Sequence, residues 1–237
     1  MYILTFDTTG TLGSVALTDE NGQTVQKVSA EKMTHLEKIT AMADQLLKEQ
    51  NVLKSQIIAV ATTVGPGSFT GIRIGVTTAR TMAQMLKVKC ISVSSLQVFS
   101  QFASADRTVA VIFNARRGQV YGAVYGEGGK EIMKPGPYML EDVLKQVEGI
   151  DNVVFYGDGV DAYGDRLEGM DIAEEHERYQ TAAMASHVAL EKYKKGNLVE
   201  YEELLPDYMR LAEAEQKLKD GTLAELRKKK LERFKNA

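Results

Sequence analysis

A pattern of three short strands joined by tight turns occurs twice along this chain, and that repetition constrains the fold more than any single motif. Residues 2–7, 13–18 and 24–29 read as strands, separated by the turn-forming residues 8–12 and 19–22. After Arg107 the same order returns at residues 109–114, 119–125 and 130–133. Phe6-Asp7 matches Phe113-Asn114. Gly13-Ser14-Val15-Ala16-Leu17 falls against Gly118-Gln119-Val120-Tyr121-Gly122 in pattern, though not in identity. Such a chain is expected to be a duplicated α/β protein, with one lobe over residues 1–106, a second over 107–210 and a terminal helix over 211–237.

Helical and strand signals follow each β-meander. Thr34, His35, Leu36 and Glu37 make a capping box, and Met33, Leu36, Ile39, Ala43, Leu46 and Leu47 follow at helical spacing, predicting a helix over 34–50. The β-branched run at 57–63 suits a buried strand; a glycine loop, a helix over 68–86 and another strand come next, so the lobe reads βββαβαβ. A helix over 140–147, a strand over 153–156 and an amphipathic stretch over 182–194 complete the second lobe before a polar helix from Ala212.

At 237 residues and 44% hydrophobic content, the chain can bury a substantial core. Its formal charge of −3 gives no general attraction to nucleic acid, so an RNA contact would have to be local or supplied by a partner. The residues after Met1 read as a strand and not as a leader, which predicts a cytoplasmic protein without a membrane segment. Cys90 is the single cysteine and lies in an apolar run, where a small buried thiol is expected and no internal disulfide can form.

Two stretches carry chemistry. Asp7-Thr8-Thr9 ends a strand in a tight turn and presents a carboxylate, hydroxyls and amides where phosphate or Mg²⁺ could sit; the plainer reading is a turn held by its own side chains. Gly65-Pro66-Gly67-Ser68-Phe69-Thr70-Gly71-Ile72-Arg73-Ile74-Gly75 runs from a strand through a glycine loop into a helix capped by Ser68, whose free amides could hold an anion. No Lys-Ser/Thr pair follows the glycines, so this is not a Walker loop. Gly71, Gly75, Ala79 and Ala83 recur every four residues and form a ridge of small side chains that invites close packing, either inside the lobe or with a partner. The partner surface expected from this pattern comprises Leu36, Ile39 and Ala43 on the first helix, and Gly71, Ile72, Gly75, Ala79, Met82 and Ala83 on the second. His35, His176 and His187 are not paired and read as solvated or packing residues. Residues 227–235 form a basic terminus, read as a solvated helix end whose alternative is an RNA contact.

Residues 65–75 in their whole length, together with Asp7-Thr8-Thr9, Arg116-Arg117-Gly118-Gln119-Val120-Tyr121 and Pro206-Asp207-Tyr208-Met209-Arg210, closely resemble the TsaB family, also called YeaZ. The resemblance implies a duplicated actin-like fold of the ASKHA, RNase H-like class. It implies a non-catalytic subunit that dimerises when alone and pairs with the catalytic subunit TsaD, with the ATPase TsaE in the larger complex. TsaD transfers a threonylcarbamoyl group to the adenosine 3′ of the tRNA anticodon, so this chain would meet tRNA through the complex. No cofactor or metal of its own is implied. A vestigial or partner-shared nucleotide site would draw on Asp7, Thr8, Thr9, Gly65, Gly67, Ser68, Arg116, Arg117, Gly157 and Gly159.

The residues agree with inactivity. Asn114 stands where the family more often has Asp and brings no metal-binding charge, and two arginines occupy the second hairpin where small residues would let amides approach phosphate. The alternatives are an autonomous actin-like ATPase or kinase using Asp7 and the glycine loops, and an RNase H-like nuclease using Asp7, Asp158 and Asp161.

Overall fold

The computed structural model describes residues 1–29 and 35–209, with only the backbone of residues 35–37. The expected capping box at Thr34 and Glu37, the Leu36 and His35 side chains, Arg210, the helix over 211–237 and the basic run at 227–235 lie outside the described residues.

The first half is built from β1 (Tyr2–Asp7), β2 (Ser14–Asp19), β3 (Thr24–Val28), α1 (His35–Glu49), β4 (Ile57–Gly65), α2 (Phe69–Leu86) and β5 (Lys89–Ser94). The second is built from β6 (Thr108–Asn114), β7 (Gln119–Gly126), β8 (Lys130–Met139), α3 (Leu140–Val147), β9 (Val153–Tyr156), α4 (Gly159–Ala162), β10 (Asp171–Ile172), α5 (Glu175–Arg178) and α6 (Ala182–Lys194). The first sheet runs β3-β2-β1-β4-β5 and the second β8-β7-β6-β9-β10. Within each, the first three strands are antiparallel and the last two join in parallel. The two topologies are therefore the same, as duplication requires.

Register corrects the repeat by one residue. Ser14 pairs with Asp7, whereas Val120 pairs with Asn114, so Ser14 corresponds to Val120 and not to Gln119. The second hairpin turns in one residue fewer. The third strand of the second meander also extends beyond the expected 130–133 to Met139, through Pro135 and Pro137. It lies at the sheet's edge, where a missing amide breaks no ladder on the outer side.

Period-2 alternation sorts the strand residues between two cores. Leu4, Phe6, Val15 and Leu17 face α1 and α2, packing on Ile39, Ala43, Leu46, Leu47, Ile72 and Val76. Ile3, Ile91 and Val93 point to the opposite face, in one cluster with Phe99, Val109, Val111, Phe113, Tyr125 and Tyr156 from the second half. Ala110, Ile112, Val120 and Val124 face α3 in a third cluster. Each fully buried large apolar side chain contributes about 1.5–3 kcal/mol.

Helix α6, carried by the second half of the sequence, lies on the first sheet. Ala185, Ala189 and Leu190 join the cluster of Ile3 and Ile91, Ala182 N donates to Ser14 Oγ at 2.8 Å, and Lys192 Nζ donates to the Ser92 carbonyl at 2.8 Å. Among the described residues no helix is long and apolar enough to cross a membrane.

Candidate functional site

Strands β1 and β4 are parallel neighbours, so their C-terminal ends open together, where α/β sheets form crevices. The Asp7 carboxylate sits there, buried, and its Oδ1 accepts from the Thr9 amide at 3.0 Å, the Thr9 hydroxyl at 2.7 Å and the Thr63 hydroxyl at 2.6 Å. Thr9 Oγ1 in turn accepts from Ser95 Oγ at 3.1 Å and Gln180 Nε2 at 3.2 Å. Hydrogen bonds to a charged acceptor contribute about 1.5–3 kcal/mol each, so this network holds the end of β1 against β4, β5 and the approach to α6.

The glycine loop closes the same site from the side. Ser68 N donates to the Thr9 carbonyl at 2.9 Å, and Thr8 Oγ1 donates to the Gly71 carbonyl at 2.6 Å. Ser68 caps α2, its hydroxyl accepting from Gly71 N at 3.2 Å, while Ile72 N donates to the Ser68 carbonyl at 2.8 Å. The Ser68 amide, at the cap of α2, is thus directed at the protein's own turn, and the Gly71 amide at the cap itself. A methyl group at Gly71 would fall into the Thr8 carbonyl oxygen, and one at Gly75 would strike the Thr8 hydroxyl. These glycines permit a helix to pass directly over a buried turn.

That contact turns much of the expected partner surface inward. Gly71, Ile72, Gly75, Ala79 and Ala83 are buried, as are Ile39 and Ala43 on α1, and Met82 is half-buried at the edge of the same core. The small-residue ridge faces the chain's own sheet because only small residues allow α2 to lie this close to it. The exposed line on α2 is Phe69, Arg73, Thr77, Thr81 and Met85, again at four-residue spacing. The segment at 204–209 runs beside this line: Tyr208 stacks on Phe69 with ring centroids 4.6 Å apart, accepts from Arg73 Nε at 2.9 Å, and follows Asp207, whose amide donates to the Val64 carbonyl at 2.8 Å.

The second hairpin forms a separate cluster. Asn114 N donates to Asp158 Oδ1 at 2.9 Å, and Arg116 N to Asn114 Oδ1 at 2.8 Å. Arg116 and Arg117 are exposed and adopt φ of 65° and 55°, a left-handed backbone that costs a side-chain-bearing residue about 1–2 kcal/mol. Gly157 and Gly159 are buried against the Ile112 carbonyl, and Gly157 N donates to the Arg178 carbonyl at 2.9 Å. Asp7, Thr8, Thr9, Gly65, Gly67 and Ser68 therefore come together at one turn, and Arg116, Arg117, Gly157 and Gly159 at another.

The carboxylates of the nuclease alternative are engaged separately: Asp158 by Asn114, and Asp161 by Arg178 Nη1 at 2.7 Å and the Tyr179 hydroxyl. Among the described residues no three His, Cys, Asp or Glu side chains are grouped to hold a metal ion. His176 lies exposed beside Glu174, and His187 is exposed on α6.

Thr63, Ser95 and Gln180 were not expected at the site. The only local signal was polar residues at the ends of apolar strands, Thr62-Thr63 on β4 and Ser94-Ser95 where β5 ends.

The chain is 31% identical over 225 residues to the tRNA threonylcarbamoyladenosine biosynthesis protein TsaB of Bacillus subtilis (strain 168), covering 92% of this chain and 97% of that protein. It is 30% identical over 225 residues to the protein of the same name from Escherichia coli (strain K12), covering 89% and 95%. The chain belongs to the TsaB family. Residues 27–218 also match the family model described as TsaD: tRNA N6-adenosine threonylcarbamoyltransferase. The solved structure of YeaZ from Pseudomonas aeruginosa superposes with a TM-score of 0.75 at 26% identity, over 87% of this chain and 99% of that one. The activator of the 2-hydroxyisocaproyl-CoA dehydratase from Clostridium difficile, with bound ADPNP, shares the fold at a TM-score of 0.50 and 12% identity, over 83% and 97%. This TsaB-family chain thus has the duplicated actin-like α/β fold.

Proposed function

We propose that this chain acts in tRNA threonylcarbamoyladenosine biosynthesis as a non-catalytic subunit that binds a TsaD-type transferase and holds it in working form. The observation that carries the proposal is the closure of the Asp7 turn. Asp7, Thr8 and Thr9 are buried, and Asp7 Oδ1, the Thr8 and Thr9 hydroxyls and the amides of Ser68 and Gly71 are engaged by the protein's own donors and acceptors. In an actin-like ATPase that corner would have to receive phosphate and metal; here its polar atoms serve packing. Asn114 and the two arginines of the second hairpin support the same reading.

The docking face in this proposal is the exposed side of α2, with Phe69, Arg73, Thr77, Thr81 and Met85, flanked by α1. Met85 is 74% exposed and Phe69 40%, and both lie on the one outward line of α2. The same face would serve the homodimer when the chain is alone, and TsaE and tRNA would be met through the assembled complex.

The test charges this face. Thr77→Glu with Met85→Glu should abolish co-purification with a TsaD-type transferase and the reconstituted formation of threonylcarbamoyladenosine, while circular dichroism and melting temperature stay unchanged. Undiminished binding would sink the docking face. ATP turnover by the purified chain that disappears in Asp7→Asn would sink the non-catalytic assignment.

A further inference from the structure

We propose that Arg73, held against two aromatic rings on the exposed line of α2, takes a carboxylate of the docked transferase and so selects that partner over a second copy of this chain. The inference rests on the docking face proposed above. The guanidinium carbon of Arg73 lies 4.0 Å from the Phe69 ring centroid and 5.8 Å from that of Tyr208, and Nε donates to the Tyr208 hydroxyl at 2.9 Å. The two rings stack on each other at 4.6 Å. Tyr208 is placed by the segment before it: Leu204 is buried in the core under α2, and Asp207 N donates to the Val64 carbonyl at 2.8 Å. Phe69 is fixed by the first turn of α2.

These contacts occupy a face of the guanidinium and its Nε. Nη1 and Nη2 have no partner among the described residues, and the residue is exposed. That leaves two parallel donors, the pair that matches both oxygens of a carboxylate. The acids of the neighbouring segment are turned to its own backbone: Asp207 accepts from Met209 N at 3.0 Å, and Glu203 from Glu200 N at 3.1 Å. An arginine already ordered by stacking loses less freedom when it binds, which favours it as the anchor of an interface.

Residues 69–86 include Arg73 and Arg80 and no acid, so this face is cationic in a chain of formal charge −3. A surface complementary to it is acidic where it meets Arg73. A second copy does not supply that group. Its α2 has no acid, and of the α1 acids with described side chains Asp44 pairs with Lys48 at 2.6 Å and Glu49 with Lys27 at 2.9 Å. A two-fold dimer through this face would bring both copies of Arg73 to one interface with no free acid from either helix pair, and a charge left unpaired in the wrong complex is a source of specificity. Phosphate would also satisfy the fork, but Phe69 and Met85, exposed on the same line, suit a protein surface and not a nucleic-acid backbone.

The test measures, for the full chain and each variant, affinity for a TsaD-type transferase by titration calorimetry, self-association by sedimentation equilibrium, and affinity for an unmodified tRNA transcript. Arg73→Gln should weaken the transferase complex roughly 30-fold, the size of a hot-spot truncation, and leave self-association and the melting temperature as they are. Arg73→Lys keeps the charge without the fork and should still lose about tenfold. Tyr208→Phe keeps the ring, removes the acceptor for Nε, and should lose about threefold. When Arg73→Gln is combined in turn with neutralisation of each acid on the transferase's contact surface, one acid should cost nothing further. Transferase affinity of Arg73→Gln equal to wild type would overturn the proposal, and so would an equal loss of self-association or the absence of any acid coupled to Arg73. An effect on tRNA affinity alone would assign the guanidinium to phosphate and overturn it too. Thr77→Glu with Met85→Glu separates the two readings: if that pair loses the transferase while Arg73→Gln keeps it, the docking face stands and the anchor falls, whereas full binding by both removes the face as well.

Discussion

Asp7 and Cys90 show how burial changes what a single residue can do. Asp7 is a potential metal ligand by type, yet in place it organises a turn, with Thr9 and Thr63 donating to one oxygen. Cys90 is a potential nucleophile by type, but it is fully buried on β5, and loss of solvent pushes its thiol up to about 11, Arg80 pulling the other way and Glu200 adding to the rise. The folded chain keeps this proton where an unfolded chain releases it. The stability tied to the neutral thiol is therefore whole below about pH 9 and is lost as pH rises towards 11, by up to ~1.4 kcal/mol per pH unit. Urea unfolding of wild type and Cys90→Ala from pH 8.5 to 11 should show the stability gap between them shrinking as pH rises. A gap that stays constant would mean that the buried thiol does not hold its proton.

At the scale of elements, helix α2 decides the form of the site. Its small-residue ridge was legible as a close-packing face, but periodicity specifies a face without saying what covers it. The covering surface is the turn after β1, pressed so near that Gly71 has no room for a side chain. Because the obstacle is backbone and not the end of a flexible side chain, Gly71→Ala should destabilise the protein by about 2–3 kcal/mol, whereas Thr70→Ala, one position away and exposed, should stay within about 0.5 kcal/mol. Chemical denaturation measures both; equal stability of the two variants would contradict the close approach. At α6, Thr181 caps the helix by accepting from Met184 N at 3.4 Å, a start the amphipathic stretch foreshadowed, while its seat on the first sheet was not foreshadowed.

Across the whole molecule, one apolar cluster joins the halves. Phe99, from the 3₁₀ turn at Gln97–Phe102, is fully buried and meets Phe113 at 6.0 Å and Tyr156 at 5.5 Å, in the same cluster as Ile3, Ile91 and Ala189. Polar contacts reinforce it: Thr18 Oγ1 donates to Ser186 Oγ at 2.7 Å, and Gln180 reaches Thr9. The two halves should consequently unfold together. Phe99→Ala should lower stability by about 3–5 kcal/mol, and hydrogen exchange should show the amides of β4 and β9 losing protection in parallel. Protection that falls in the second sheet alone would separate the halves energetically.

The sequence by itself determined the duplication, the βββαβαβ order, the helical spacing of α1 and α2, and the ridge of small residues on α2. These depend on residues within a few positions of one another, through alternation, capping and turn chemistry. The tertiary structure alone decided that the second hairpin is one residue tighter than the first, that α6 crosses to the first sheet, and that the ridge of α2 turns inward. It also decided which donors satisfy Asp7 and Thr9: Thr63 lies 56 residues from Asp7, and Gln180 lies 171 residues from Thr9. No local pattern records a partner at that separation, because the hydrogen bond forms only once two sheets and a crossing helix have been packed on a common core.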